Sequence, residues 1–595
     1  HTAPGHGEDD YRVGLKYNLD VIMPVNETGC YDQTVVREKL LPTPEEFVGK
    51  HIFKCNDPIM ELLGDKLLKM TKMKHSYPHC WRSHTPLIFR ATKQWFISVD
   101  GTPEGEAKTL REIALGEVEK TKFYPETGRK RLNAMVENRP DWCISRQRDW
   151  GVPIAFFRVK ATGEVILDEK VLNFIAMIFE MQGTDAWYTM PIEQLLYPGS
   201  GYKADELEKV NDILDVWFDS GSTWNAVMKS RNYDAGKYPA DLYLEGSDQH
   251  RGWFQSSLFL SAAVQHQAPY KAILTHGFTV DAKGEKMSKS KGNVVAPDKV
   301  LKQYGSEILR LWVAMSDYQT DLKISDDILK QTAEQYRKLR NTFRFLLANI
   351  DDLEVILPFE NLGVLDQWIV AKAQLVFGEV HSLFSEYNFV QGMSVLNNFI
   401  VNELSGIYLD ITKDRLYCDA KDDQHRRASQ SAMAMITKTL VVLVAPILTY
   451  TADEIIENAP SVIKGGADNI FDMHYLPVDA VASLFNETAM MKIREGFYEI
   501  VDGLKKEKKI KSTLELMIST NSSVVREIDR TEAEDWFVVS EITDAEVAES
   551  LGSFEVDGES FTIGFASKAK CPRCWKFHSE NEESCCPRCN EVLNA

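Results

Sequence analysis

Apolar residues are spaced differently in the two halves of this chain, and the spacing predicts different elements. From about residue 307 they recur at intervals of three and four, the period of a helix with one buried face. Residues 307–315 read as one helix and 325–350 as a long amphipathic one. In the latter, Leu339, Phe343 and Leu346 share one stripe and Arg337, Arg340 and Arg344 another. That basic stripe suits the backbone of an RNA stem, or equally a solvated, ion-paired face. Residues 362–500 are helical in pattern nearly throughout, with loops at 421–424 and 465–468. The longest apolar run, 440–448, contains Pro446, so a buried helix should kink or end there.

Before residue 280 the apolar runs are shorter and bounded by Gly, Pro and Asp, which predicts strands. Residues 79–90 and 94–98 read as strands or hairpin arms, and 212–224 as a strand that breaks at Ser220-Gly221. Residues 241–246 read as a strand ending at Glu245-Gly246, followed by a helix capped by Ser247 or Asp248. A further strand, 272–277, leads into a lysine-rich loop. Residues 160–210 look like a small inserted module without evident chemistry. Past five lysines in the seven positions 505–511, a strand at 514–518 opens a small α/β module running to Phe565.

With 595 residues, the chain should hold three to five domains at roughly 100–200 residues each. No apolar run approaches the ~20 residues of a membrane-spanning helix. A formal net charge of −20 argues against holding nucleic acid by bulk charge, though not against local basic faces. Of ten cysteines, five crowd into the last 25 residues; this distribution suggests a reduced, cytoplasmic protein with one metal site. Residue 1 is His, which points to the carboxyl-terminal part of a longer product.

Four stretches carry candidate chemistry. The loop 281–293 gathers Lys286, Lys289 and Lys291 with the hydroxyls of Ser288 and Ser290 between Gly284 and Gly292. Such a loop could stabilise charge developing on a polyphosphate, or be a solvated turn. At the end of the 241–246 strand, Glu245, Gly246, Asp248 and Gln249 would face the crevice beyond a parallel sheet, where they could recognise an ammonium group and nucleotide hydroxyls. Trp217 and Trp253 would supply flat apolar walls, or simply be buried. The opening stretch, with His1 and Asp10, could bind an ammonium and orient a water, or be a surface turn or metal loop. Cys-Pro-Arg-Cys occurs twice, at 571–574 and 586–589, separated by 11 residues. Cys571, Cys574, Cys586 and Cys589 can close a tetrahedral shell around one structural zinc ion, with Cys585 and His578 as less simple choices. Cys80 and His84 have no partner pair at ligand spacing. Arg146 and Arg148 would share a face on a strand, meeting phosphate or making ion pairs.

The loop's Lys-Met-Ser-Lys-Ser at 286–290 resembles the signature loop of class I aminoacyl-tRNA synthetases. The opening motif, the Glu245 block and the cysteine tail are similar to the bacterial-type isoleucyl branch of that family. The resemblance runs in one order over the whole chain. It implies an α/β multidomain protein: the second half of a class I nucleotide-binding, Rossmann-like fold, the remnant of a β-rich editing domain, an all-α anticodon-binding domain and a C-terminal zinc module. The implied boundaries are 1–85 (editing), 86–270 (catalytic, with the insertion), 271–350 (signature loop and stem contact), 351–500 (anticodon), 501–565 (junction) and 566–595 (zinc).

The implied reaction is ATP-dependent activation of isoleucine, transfer to tRNA(Ile), and hydrolysis of mischarged valine. ATP would enter with Mg2+ as substrate, bound by Lys286, Met287, Ser288, Lys289 and Ser290, with Lys286 and Lys289 acting on the β,γ-phosphates. Asp10 would grip the α-ammonium of a misattached amino acid, and His1 would help exclude the larger, correct one. A second sieve is needed because one methylene is worth only ~1–3 kcal/mol in an apolar pocket, a limit established on isoleucyl enzymes themselves. The expected protein is monomeric, with no membrane partner.

One departure stands out: no His-x-Gly-His motif occurs in the chain. Half of the ATP site is therefore expected upstream, and the chain alone is expected not to form adenylate. The alternatives are a non-catalytic, synthetase-derived tRNA-binding protein and a valine- or leucine-specific sibling.

Overall fold

The computed structural model describes residues 2–80, 83–148, 150–230, 236–475 and 481–594; His1 lies outside them. The chain divides into two compact units. One comprises residues 1–120, 131–240 and 250–269, the other 121–130, 241–249 and 270–595.

In the first unit, the helix Glu8–Tyr17 begins with Glu8, Asp9 and Asp10, acidic residues that favour the positive end of the helix dipole. Up to residue 85 the described elements are short helices and isolated bridges, where a β-rich segment was expected. Leu68 and Met73 there are 99% and 79% exposed, so these apolar side chains have little to pack on. Among the described residues, the arms expected at 79–98 reduce to one bridge, His79 to Pro86, and to the strand Phe96–Ile97 paired with Trp142–Cys143. Pro78 and Pro86 lack the N–H that a ladder needs.

The helix Glu169–Gln182, capped by Asp168, closes a separate cluster of Phe157, Ile175, Ile178, Trp187 and Leu207. The stretch 212–224 also differs from expectation. Only Ile213–Leu214 is strand, and Val216–Gly221 is a short helix packed against the helix Trp253–Gln265. Gly221 permits that approach, since a Cβ there would lie 3.0 Å from the Ser256 backbone.

The second unit contains a three-stranded parallel sheet of β1 (Lys122–Tyr124), β2 (Tyr243–Gly246) and β3 (Ala272–His276), with β3 in the centre. Its largest core runs through the helices Asp326–Ile350, Val364–Ser385, Gln424–Val444 and Glu487–Lys506. Ser325 caps the first of these, and the helix Gln424–Val444 stops two residues before Pro446. On the arginine stripe, Arg337 is paired with Glu334, and Arg340 grips both oxygens of Glu454 at 2.7 and 2.6 Å. A four-stranded sheet, in the order Glu541–Thr543, Leu516–Thr520, Glu559–Phe565, Gly552–Val556, joins the same core. No helix among the described residues is long and apolar enough to cross a membrane.

Candidate nucleotide and metal sites

The carboxyl ends of β2 and β3 meet in register, Glu245 beside Thr275 and Gly246 beside His276. The chain leaves β3 through Gly277, whose N–H donates to the Tyr318 carbonyl at 2.8 Å, and enters the lysine loop five residues after His276. Glu245 and the loop therefore start from adjoining strand ends. Glu245 is exposed and accepts a hydrogen bond from the Gly246 N–H at 3.0 Å. Gln249 donates to Asp248 at 3.0 Å. Residues Ser247–His250 form one tight turn, and the following helix starts only at Trp253, after Gly252 in a non-helical conformation. Ser247 and Asp248, the caps expected for the long helix, thus lie within the turn and do not start that helix.

Val280, Asp281, Asn293 and Met287 brace the loop. Val280 bridges to Lys286, which closes it as a narrow hairpin. Asp281 accepts the backbone N–H groups of Lys283 and Glu285 on one oxygen at 2.9 and 2.8 Å, and Asn293 Nδ2 on the other at 2.9 Å. Those hydrogen bonds, Asn293's foremost, hold the Asp281 carboxyl below its ordinary range. Asn293 also accepts the Ser288 N–H at 3.0 Å and donates to the Lys286 carbonyl at 3.3 Å. Met287 packs against the cluster of Val300, Trp312 and Leu322, anchoring the loop from below. Ser288 Oγ accepts from the Lys291 N–H at 3.3 Å and lies 3.2 Å from Ser290 Oγ. Lys291 is tied to Glu285 at 3.2 Å, whereas Lys286 and Lys289 are exposed with no ion-pair partner among the described residues. The arrangement leaves two exposed ammonium groups on a braced backbone, able to reach an anion.

In the first unit, Trp253 Nε1 donates to the Ser220 carbonyl at 2.9 Å, which fixes its ring; Trp217, 41% exposed, is on the helix Val216–Gly221. Arg146 pairs with the buried Asp215 at 2.9 Å, and Arg148 lies beyond its two-residue strand, so the two do not share a strand face. Asp10 is half-buried and folds over Gly7, where an added Cβ would meet its carboxylate at 2.7 Å. His6, not His1, is the imidazole described in this region; its Nδ1 is 3.0 Å from the Phe89 carbonyl oxygen. It helps line a cavity of about 470 Å3 with Pro24, Tyr31, Phe53 and Phe89.

Also in the second unit, the ligand atoms of Cys571, Cys574, Cys586 and Cys589 all lie within 4.8 Å of one another, and all four residues are buried. Four such thiols could hold one metal ion. Burial works against the Cys571 thiolate, but backbone N–H groups, including that of Cys586 at 3.3 Å, outweigh it and bring the thiol down to about 6. His578 is turned away, its Nε2 bonded to the Ser540 carbonyl.

A family model of tRNA synthetases class I (I, L, M and V) matches residues 17–325, just over half of the 595 residues. The chain belongs to the class I tRNA synthetases. A second model, the anticodon-binding domain of tRNA ligase, matches residues 366–520 of this synthetase. The isoleucine–tRNA ligase of Sulfurimonas denitrificans is 70% identical over 595 residues, which is all of this chain and 65% of that protein. That of a Nitratiruptor species is 68% identical over 594 residues, 64% of its length. The synthetase chain thus spans about 65% of the curated relatives it matches. A Mycobacterium tuberculosis methionyl-tRNA synthetase in complex with methionyl-adenylate aligns at 18% identity over 70% of this chain and 73% of that one, with a TM-score of 0.47. Glu245 and the lysine loop fall inside the segment matched by the class I synthetase model; the four cysteines lie outside both matches. The brace formed by Asp281 and Asn293 escaped sequence reasoning, since neither residue type signals a hydrogen bond across twelve positions.

Proposed function

We propose that this chain serves in an isoleucine–tRNA ligase, which activates isoleucine with ATP, transfers it to tRNA(Ile) and hydrolyses valyl-tRNA(Ile). The observation that carries the reading is 70% identity to such a ligase along the entire chain. Lys286 and Lys289 would approach the β,γ-phosphates of ATP brought in with Mg2+, stabilising the charge that develops as pyrophosphate leaves. Met287, Ser288 and Ser290 would set their register through the packing and hydrogen bonds described above. Glu245, Gly246, Asp248 and Gln249 would meet the aminoacyl-adenylate at the sheet's carboxyl edge. In the first unit, Trp217 and Trp253 offer flat apolar faces suited to an aliphatic side chain.

Residues 1–85 would be the carboxyl part of the editing domain, with Asp10 and His1 in the hydrolytic pocket. The remaining boundaries would fall at 86–270, 271–350, 351–500, 501–565 and 566–595. The four cysteines would hold one structural zinc: tetrahedral zinc–sulfur bonds of about 2.3 Å put sulfurs ~3.8 Å apart. Cys574 and Cys586 Sγ atoms are 3.8 Å apart. The ion would supply a fixed shape and no open coordination position.

Pyrophosphate exchange tests the proposal. In a protein that carries this chain within the full length of its relatives, exchange should depend on isoleucine. Lys286→Ala or Lys289→Ala should lower kcat by about 100-fold or more with little change in the isoleucine KM. Exchange driven by leucine or methionine in place of isoleucine would overturn the reading. The chain by itself, with no His-x-Gly-His motif, should show none.

A further inference from the structure

We propose that the cysteine cluster is a latch: metal bound by the four thiols decides whether the helix Lys413–Cys418 is held in place. Each Cys-Pro-Arg-Cys knuckle carries an arginine between its cysteines, Arg573 in the first and Arg588 in the second, and Lys576 follows two residues after Cys574. All three cations are aimed at the same helix or at its support. Arg573 donates to the Cys418 carbonyl at 2.5 Å, one of the carbonyls a helix end leaves unsatisfied, and to Cys589 Sγ at 3.4 Å. One guanidinium therefore bridges the helix terminus to a thiol of the opposite knuckle.

Arg588 forks onto both oxygens of Asp414 at 2.7 and 2.9 Å and reaches Asp419 at 3.0 Å, so it clasps the first turn and the end of this six-residue helix together. Lys576 donates to Asp535 at 3.0 Å, and the other oxygen of Asp535 accepts from Arg415, on the same helix, at 2.7 Å. The chain of charges is deep: the side chains of Lys576, Asp535, Arg415 and Asp419 are 4%, 2%, 4% and 8% exposed. Cys418 itself packs into the cluster of four thiols, so the helix completes the tail's small core.

A six-residue helix has no stability of its own. Leu416 anchors it to the main core and Arg415 to Asp366, but both of its ends are held by groups whose positions depend on the knuckles, and knuckles of this kind take their shape from the ion they bind. Removing the metal should withdraw Arg573, Lys576 and Arg588 together, leaving Asp414 and Asp419 buried without their cations and Asp535 with Arg415 alone, which is unfavourable. The helix should then loosen. The cavity of about 490 Å3 that it lines with the knuckle, through Asp414, Tyr417, Arg573, Trp575 and Lys576, should lose its wall. The latch rests on the reading of the four thiols as a metal site, and the experiment separates the two.

The full chain is purified with zinc, its metal content measured, and amide hydrogen exchange followed over residues 409–419, with the helix Gln424–Val444 as internal reference. Stripping the ion with a chelator should accelerate exchange over 409–419 by about tenfold or more, leave the reference unchanged, and be reversed by adding zinc back. Asp414→Asn alters the helix side of the contact and leaves every thiol in place. It should keep one zinc per chain, exchange faster over 409–419 with the metal bound, and respond to chelation by less than about threefold, because its link to the knuckle is already weakened. If chelation accelerates only the tail, or accelerates Asp414→Asn as much as the parent, the latch is wrong while the metal site stands. If the chain binds no zinc, both fall.

Discussion

At the scale of single residues, Gly277 matters more than any of the loop's own glycines. It joins β3 to the lysine loop at a point where a Cβ would lie 2.1 Å from the Thr320 carbonyl oxygen and 2.7 Å from the Asp321 nitrogen. Both are backbone atoms and cannot swing away. Gly277→Ala should therefore cost about 2 kcal/mol or more. Thermal denaturation checks this, and an unchanged Tm would show that the crossing is looser than described.

Glu534 gives a residue-scale test of pH dependence. Burial pushes its carboxyl up to about 7, against the opposing pull of Lys576. Because its folded value lies above its ordinary one, the protonated acid favours the fold: the contribution is complete below about pH 4.5 and is lost as pH rises through about 7. Glu534→Gln should match the parent near pH 4 and exceed it near pH 8, by on the order of 1–2 kcal/mol in urea unfolding. A variant less stable than the parent at pH 8 would contradict the assignment.

At the scale of elements, Asp352 ties the end of the helix Asp326–Ile350 to the start of Gln424–Val444. Its carboxylate accepts from Arg426 at 2.9 and 3.1 Å and from Gln430 at 2.6 Å. Burial would raise its pKa, but these bonds and the nearby Arg427 outweigh it and bring the group down to about 2. The tie is therefore complete above pH ~4 and lost as pH falls through about 2. Asp352→Asn should cost roughly 1–2 kcal/mol at neutral pH and progressively less in acid, read from urea midpoints between pH 7 and 2.5.

Those two helices were legible in the sequence because their signals are local: the Ser325 cap, the three-and-four spacing, and the stop before Pro446. The stretch 212–224 was not. Its Val216-Trp217-Phe218 run reads as a strand, but the packing of Gly221 on Ser256 and the bond from Trp253 to Ser220 favour a short helix. The start of the helix at Trp253 was hidden for the same reason, since Ser247 and Asp248 are adequate caps and only a contact with a distant segment decides between starts. Arg415 with Asp366 and Asp535, separated by 49 and 120 positions, left no pattern at all. The lysine loop and the paired knuckles were visible because their chemistry is contiguous.

At the scale of the whole molecule, a formal charge of −20 has to coexist with the tRNA binding proposed above. Local cations must then do the work, and Lys505, Lys506, Lys508, Lys509 and Lys511 are all exposed at the end of the helical region that matches the anticodon-binding model. Binding governed by a few such contacts falls steeply with salt, so selectivity has to be compared at one ionic strength. The most direct test of the account is gel retardation of tRNA(Ile), tRNA(Val) and tRNA(Leu) transcripts by this chain at about 150 mM salt. Preferential retardation of tRNA(Ile), by about tenfold or more in apparent Kd, is the predicted result. Equal retardation of all three, or preference for another tRNA, would contradict it.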